Sequence, residues 1–181
     1  MNPSTLNNPI PWADVKLLIL DVDGVLSDGQ LYFSDQQEEQ KAFSVQDGMG
    51  IRLLMRCDVQ IAVITSRASA LVEWRMQSLG VTHIYQGAHA KLPVYQQLID
   101  TLQLKPEEVA YMGDDWPDLP ILTRVGIPIA VANAVLAVRQ RARYQTLLTG
   151  GHGAVREVAD LILHAKGYYE RELARYLLGD V

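Results

Sequence analysis

The stretch "LLILDVDGVLSDG", residues 17–29, constrains the fold more than any other. Four consecutive aliphatic residues lead straight into Asp21 and Asp23, one residue apart, and then Gly24. An unbroken aliphatic run is the pattern of a strand buried on both faces, and such strands belong to parallel sheets covered by helices on each side. Aspartate is a poor strand former and costly to bury unpaired. The two acids therefore mark the end of the strand, and something gathered at that end must offset them.

The rest of the chain repeats the theme. Short apolar runs at 59–65 ("VQIAVIT"), 82–87 ("THIYQG"), 109–113 ("VAYMG") and 127–132 ("IPIAVA") end in polar or small residues. Between them lie helical patterns at 50–56, 69–79, 91–102, 119–125 and 135–142. This alternation predicts an α/β fold, a Rossmann-like parallel sheet with helices on both faces. One segment departs from it: "QLYFSDQQEEQKAFSV", 30–45, reads as a β-hairpin directly after the first strand. Without repeats, low-complexity segments or linkers, residues 1–181 read as a single domain with a C-terminal tail at about 150–181.

Composition narrows the function. Hydrophobic residues make up 49% and charged ones 20%, the balance of a globular protein. No apolar run approaches the ~20 residues that cross a bilayer, so no membrane association is expected. The first residues lack a basic stretch followed by an apolar one, and Cys57 is the only cysteine, which together suggest a cytoplasmic protein. Cys57 closes a helical pattern and reads as a packing residue. The net charge of −5 speaks against nucleic-acid binding. An anionic ligand would need positive charge collected locally.

In open α/β sheets, ligands bind beyond the carboxyl ends of the strands. The polar residues there are Asp21 and Asp23 on the first strand and Thr65-Ser66-Arg67 on the second. Lys91 opens the helix after the third, and Asp114, Asp115 and Asp118 of "GDDWPD" follow the fourth. Taken singly, each acid is a serviceable helix cap and the lysine a solvated charge. A calcium loop fails, because Val25 sits where an oxygen ligand is required and no helix precedes it. Phosphoryl transfer through an aspartyl phosphate uses every piece: a carboxylate nucleophile, a metal, and a lysine and hydroxyl holding phosphoryl oxygens.

D-x-D-G-V-L, then a hydroxyl residue, a lysine and G-D-D-x-x-D in that order resemble the signature of the haloacid dehalogenase superfamily of phosphohydrolases. A narrower resemblance runs from "LLILDVDGVLSDG" through "KAFSVQDGMGIRLL", "IAVITSR", "YQG" and "VAYMGDD" to "GGHGAVREVADLIL". It is to capless members acting on an eight-carbon 3-deoxy sugar-acid phosphate of the lipopolysaccharide pathway. Two departures stand out: Ser66 replaces a usual glycine, and "AHAK", 88–91, replaces a usual S-N-K.

The resemblance implies Asp21 as nucleophile and Asp23 as the acid and base serving the leaving group and the water. It implies Mg²⁺ held by Asp21, Asp114 and the Asp23 carbonyl, with Asp115 and Asp118 orienting waters or Lys91. Thr65 and the Ser66 amide would hold phosphoryl oxygens, and Lys91 would offset their charge. Arg67 and Arg75, two helical turns apart, are candidates to bind the sugar carboxylate. Related phosphatases of nine-carbon sugar acids tend to carry Glu where Arg67 stands. Phosphoaspartate receiver domains share this chemistry, but their acidic pair precedes the acceptor aspartate, opposite to the order here.

Only about 40 residues separate Asp23 from Thr65, too few for the hairpin, helix and strand plus a cap of ~50 residues. The resemblance implies a homotetramer that encloses the site instead. Its hairpins would assemble together, and "GGHGAVRE" with Arg156 would approach a neighbour's Asp21. His83, His89, His152 and His164 match no metal-ligand spacing and carry no assigned role.

Overall fold

The computed structural model describes residues 9–36 and 38–180. Most of the stretch read for a leader, residues 1–8, lies outside them, as do residues 37 and 181. Among the described residues, no helix is long and apolar enough to cross a membrane.

The first apolar run forms β1 (Leu17–Leu20), buried along its whole length. The hairpin follows as β2 (Tyr32–Phe33) and β3 (Glu39–Gln40), paired antiparallel. Then come α1 (Val45–Arg56), β4 (Gln60–Ile64), α2 (Ala70–Leu79), β5 (His83–Tyr85), α3 (Lys91–Leu102) and β6 (Val109–Gly113). The chain continues through α4 (Leu119–Leu122), β7 (Ile127–Ala130), α5 (Leu136–Arg139), β8 (Tyr144–Gln145), α6 (Ala154–Ala165) and α7 (Tyr169–Leu178). Six strands make one parallel sheet in the order β5-β4-β1-β6-β7-β8. The chain winds outward from β1 through β4 to β5, then returns to β6 on the other flank. The order therefore reverses between β1 and β6, where such sheets open a ligand crevice.

Right-handed crossovers put α1 and α2 on one face and α3 and α4 on the other. α6 returns to the first face and packs closely on α1. Its buried stripe of Val155, Val158, Ala159, Ile162 and Leu163 follows the 3.6-residue period. Asp47 of α1, itself 1% exposed, accepts hydrogen bonds from the Gly153 and Arg156 amides and caps α6 from across the interface. The α6 part of the tail is thus a core element.

Most elements fall where the periodicities place them, with three differences. α1 begins at Val45 rather than residue 50: Ser44 accepts from the Asp47 amide, and a good cap outweighs the helix-weakening Gly48 and Gly50. The short β8 and α7 were not expected. β8 has only two residues, and α7 is anchored by long-range contacts, Glu172 with Arg56 and Tyr176 with Arg56. Among the described residues, the only insertion between β1 and α1 is the hairpin, so nothing there forms a cap.

Candidate active site

β1 delivers Asp21 to the reversal point. Its amide donates to the Met112 carbonyl at 3.1 Å, extending the β1–β6 pairing by one residue. The chain then makes a wide turn over residues 22–26, closed by the Ser27 amide on the Val22 carbonyl at 2.9 Å. Gly24 sits in that turn at φ +94°, and a Cβ there would lie 2.2 Å from Asp114 Oδ2. Glycine is needed both for the left-handed backbone and for the close approach to Asp114.

Lys91, the first residue of α3, is buried and points at this turn. Its Nζ lies 2.7 Å from Asp21 Oδ1 and 2.7 Å from Asp118 Oδ1. The Tyr111 hydroxyl donates to the same Asp118 oxygen at 2.6 Å. Asp118 Oδ2 accepts from the amides of Asp114 at 2.9 Å and Asp115 at 3.2 Å. A carboxylate offers about four lone-pair sites, and Asp118 has all of them occupied. It is therefore a fixed anchor for Lys91. Asp115 is exposed and accepts from the Trp116 amide, capping the single turn Trp116–Asp118.

Charge in this volume is unbalanced. Burial, then the Asp118 charge, push Asp21 up to about 7 despite the opposing pull of Lys91. Burial and the charges of Asp21, Asp118 and Asp115 push Asp114 up to about 8. Burial alone would lower Lys91, but the attraction of Asp21 and Asp118 prevails and holds it above the usual lysine range, fully cationic. Carboxylate oxygens of Asp21, Asp114 and Asp118 lie within 4.8 Å of one another. With Asp118 saturated, Asp21 and Asp114 remain as hard oxygen donors with free lone pairs and a deficit of positive charge. Mg²⁺ is commonly held by one or two carboxylates plus waters and phosphate oxygens. The donor set fits that ion.

A cleft of about 280 Å³ opens over these groups, lined by Asp21, Asp23, Thr65, Ser66, Arg67, Lys91, Asp114, Asp115 and Asp118 among others. Nine of the eleven residues singled out in the sequence thus converge on one cavity. Arg75 and Arg156 do not line it. Arg75 packs against α1, where a Cβ on Gly48 would lie 2.5 Å from its Nη2. Arg156 pairs with Asp160 at 2.8 Å on α6. Arg67 lines the rim, half-exposed, with Nη2 2.8 Å from Glu39 Oε1.

The glycines of "GGHG" make their close approach within their own chain. A Cβ on Gly150 would lie 1.7 Å from the Gly24 carbonyl oxygen, and the Gly151 amide donates to the Val25 carbonyl at 2.9 Å. The segment props the Asp21–Gly24 turn of its own chain from behind.

Two residues near the site escaped the sequence reading. Tyr111 reads as one more apolar residue of a buried strand; its signal was a hydroxyl needing a partner at the strand that ends in Gly-Asp-Asp. Lys41 contacts Asp23 through its Nζ with a side chain only 2% exposed. Only its place in a hairpin that folds back toward β1 could have revealed it.

Sequence and structure comparisons agree on the relatives. The haloacid dehalogenase-like hydrolase family matches over residues 54–158. The 3-deoxy-D-manno-octulosonate 8-phosphate phosphatase of Yersinia pestis is 51% identical over 158 residues, 87% of this chain and 84% of that one. Its crystal structure superposes with a TM-score of 0.87 over 88% of this chain and 86% of that one. The Moraxella catarrhalis enzyme of the same name, solved with magnesium, phosphate and the octulosonate sugar acid, is 39% identical. It covers 97% of this chain and 99% of that one, with a TM-score of 0.89.

Proposed function

The chain belongs to the haloacid dehalogenase-like hydrolase family, and from that premise we propose that it is a Mg²⁺-dependent phosphatase of 3-deoxy-D-manno-octulosonate 8-phosphate. The observation that carries this reading is the buried Asp21–Lys91–Asp118 chain beside Asp114, at the sheet's reversal point, in a chain 51% identical to phosphatases of that ester.

In this reading Asp21 attacks phosphorus in line, and the bond to the sugar C8 oxygen breaks. Asp23 passes a proton to that oxygen as it leaves. Water then attacks phosphorus of the aspartyl phosphate, Asp23 takes the water's proton, and phosphate departs with the Asp21 carboxylate restored. The Thr65 hydroxyl and Ser66 amide donate to phosphoryl oxygens, while Lys91, anchored by Asp118, balances their charge. Asp21, Asp114 and the Asp23 carbonyl are assigned to Mg²⁺, which when bound neutralises the transferring phosphoryl group. Asp115 orients groups at the rim.

Arg67 is assigned to the sugar-acid carboxylate, which would exchange with Glu39 on its guanidinium. Arg67 also favours the octulosonate over nine-carbon sugar acids. Arg75, packed on α1, and Arg156, on α6, are retained as substrate contacts only through a neighbouring subunit. We further infer one catalytic domain over the whole chain, a cytoplasmic location and a homotetramer. The exposed Leu31, Tyr32 and Phe33 of the hairpin support the last.

The test is phosphate release with Mg²⁺ over a panel of sugar-acid, simple sugar and aryl phosphates, with Asp21→Asn as control. The octulosonate ester should be the preferred substrate and Asp21→Asn inactive. Retention of more than a few per cent of turnover by that variant would sink the assignment, and preference for a neutral sugar phosphate would sink the substrate.

A further inference from the structure

The hairpin does more than decorate the edge of the sheet. Its two strands have only two residues each, and a ribbon of that size is marginal in water. Here it is held locally at its start, to Asp28, and tied at its end to Asp23 of the catalytic turn. On the β2 side the Tyr32 hydroxyl donates to Asp28 Oδ2 at 2.7 Å. On the β3 side Lys41 donates to Asp23 Oδ1.

The second tie is chemically specific. The Lys41 side chain is 2% exposed, so its ammonium is removed from water and depends on its partners, Asp23 and, at 3.3 Å, Glu39 Oε1. Lys41 directly follows β3, and its contact with Glu39 places the two side chains on one side of the hairpin. Arg67 completes the group, 2.8 Å from Glu39 but 3.9 Å from Asp23 Oδ2. The two oxygens of Asp23 are therefore not equivalent: among the described residues, Oδ1 is taken by the buried ammonium, while Oδ2 faces only a distant guanidinium. Asp23 lines the cleft; Lys41 does not.

We propose that Lys41 is a positioning residue for proton transfer to the leaving group. By occupying Oδ1 from behind, it fixes the carboxyl plane and leaves Oδ2 as the oxygen that carries the proton toward the cleft. Protonation of Oδ2 does not break the contact, because the remaining carbonyl-like Oδ1 still accepts from the ammonium. Without Lys41 the Asp23 side chain would rotate about χ1 and χ2, and the proton donor would lose its aim. The hairpin thereby becomes part of the catalytic apparatus.

This inference rests on the reading of Asp23 as general acid, and two substrates separate the two claims. The sugar-acid phosphate has an alkoxide leaving group that needs a proton; p-nitrophenyl phosphate has one that departs without it. Asp23→Asn should depress turnover far more on the first than on the second; if it does not, the reading of Asp23 falls. Given that split, Lys41→Met, which keeps the aliphatic stem, should lower kcat on the sugar ester about ten- to a hundredfold, a part of what a general acid supplies. KM should change little, and the loss on p-nitrophenyl phosphate should stay within about threefold. Combined with Asp23→Asn, Lys41→Met should cost nothing further. Lys41→Arg, which keeps a buried cation for folding but shifts its geometry, should show the same split on a smaller scale. Equal losses on both substrates in the Met and Arg variants, a pure KM effect, or additivity with Asp23→Asn would overturn the proposal.

Discussion

Lys91 Nζ lies 2.7 Å from Asp21 Oδ1, a contact made across 70 residues of chain at a position 3% exposed to solvent. One buried cation thus faces Asp21 and Asp118, with Asp114 close by and, among the described residues, without an ion pair of its own. The arrangement is stable only with that cation in place. Removing one partner of a buried pair leaves the other charged and unsolvated, which costs ~3–5 kcal/mol.

Lys91→Met should therefore lower the melting temperature of the metal-free protein, and Mg²⁺ should recover a larger share of stability than in the wild type. Turnover should fall by at least ~10²-fold, since the proposed donor to the transferring group is lost. Thermal melts with EDTA and with Mg²⁺, beside steady-state rates, check both. A variant retaining near-normal kcat would show that Lys91 is structural only.

The raised carboxyls give a pH dependence with a definite sign. Asp21 and Asp114 titrate at about 7 and about 8 in the folded protein, well above the 3.8 of a free carboxyl. The folded state therefore holds these protons more tightly than the unfolded state. Their contribution to stability is fully present below pH ~4 and is lost as pH rises through 7 and 8. Metal-free protein should be less stable at pH 8 than at pH 6 as far as these two groups decide. Mg²⁺ must displace the protons, so its binding should release protons at pH 6.5 and its stabilisation should grow toward pH 8. Calorimetric titration in buffers of different ionisation enthalpy reads the release directly. A metal-induced shift in melting temperature independent of pH would contradict the cluster's charge balance.

The sequence revealed most of this candidate site because its residues stand where an apolar run stops. Asp21, Thr65 and Asp114 follow β1, β4 and β6, and Lys91 opens the helix after β5. The sheet's periodicity therefore located them. Lys41 and Tyr111 were hidden for opposite reasons. Lys41 sits in a polar hairpin where lysine is ordinarily solvated, and its burial depends on that hairpin folding back onto Asp23. Tyr111 sits in a strand where its ring satisfies the apolar pattern, leaving the hydroxyl without a mark. Asp47 shows the same limit: its partners, the Gly153 and Arg156 amides, lie more than 100 residues away, beyond any local pattern.

Arg67 offers a prediction about specificity. Its guanidinium rests on Glu39 at 2.8 Å on the rim of the cleft, where a carboxylate already complements it. A substrate carboxylate can replace Glu39 with little change in charge. Arg67→Ala should cost ~1.5–3 kcal/mol in kcat/KM, or roughly ten- to a hundredfold, on the sugar-acid ester and far less on an aryl phosphate. An equal loss on both substrates would move Arg67 to the phosphate or to the fold.

The proposed shared site can be tested without removing the tail. Truncation after Thr149 would delete α6, whose six buried aliphatic and alanine side chains and whose Asp47 cap make it part of the fold. Loss of activity in such a chain would report unfolding. Arg156→Ala is cleaner: the backbone amide that binds Asp47 is retained, and the Asp160 pair it removes is a partly exposed i,i+4 contact worth ~0.5 kcal/mol or less. The variant should fold, and its side chain does not line its own chain's cleft. If Arg156 serves a neighbour, Arg156→Ala should lower turnover on the sugar-acid ester with the melting temperature nearly unchanged. Mixing it with an Asp21→Asn chain and allowing subunit exchange should then restore activity, because an intact Asp21 meets an intact Arg156 across the interface. With exchange confirmed by mass spectrometry, an impaired Arg156→Ala that gains nothing on mixing would assign Arg156 to its own chain and remove the reason for a shared site.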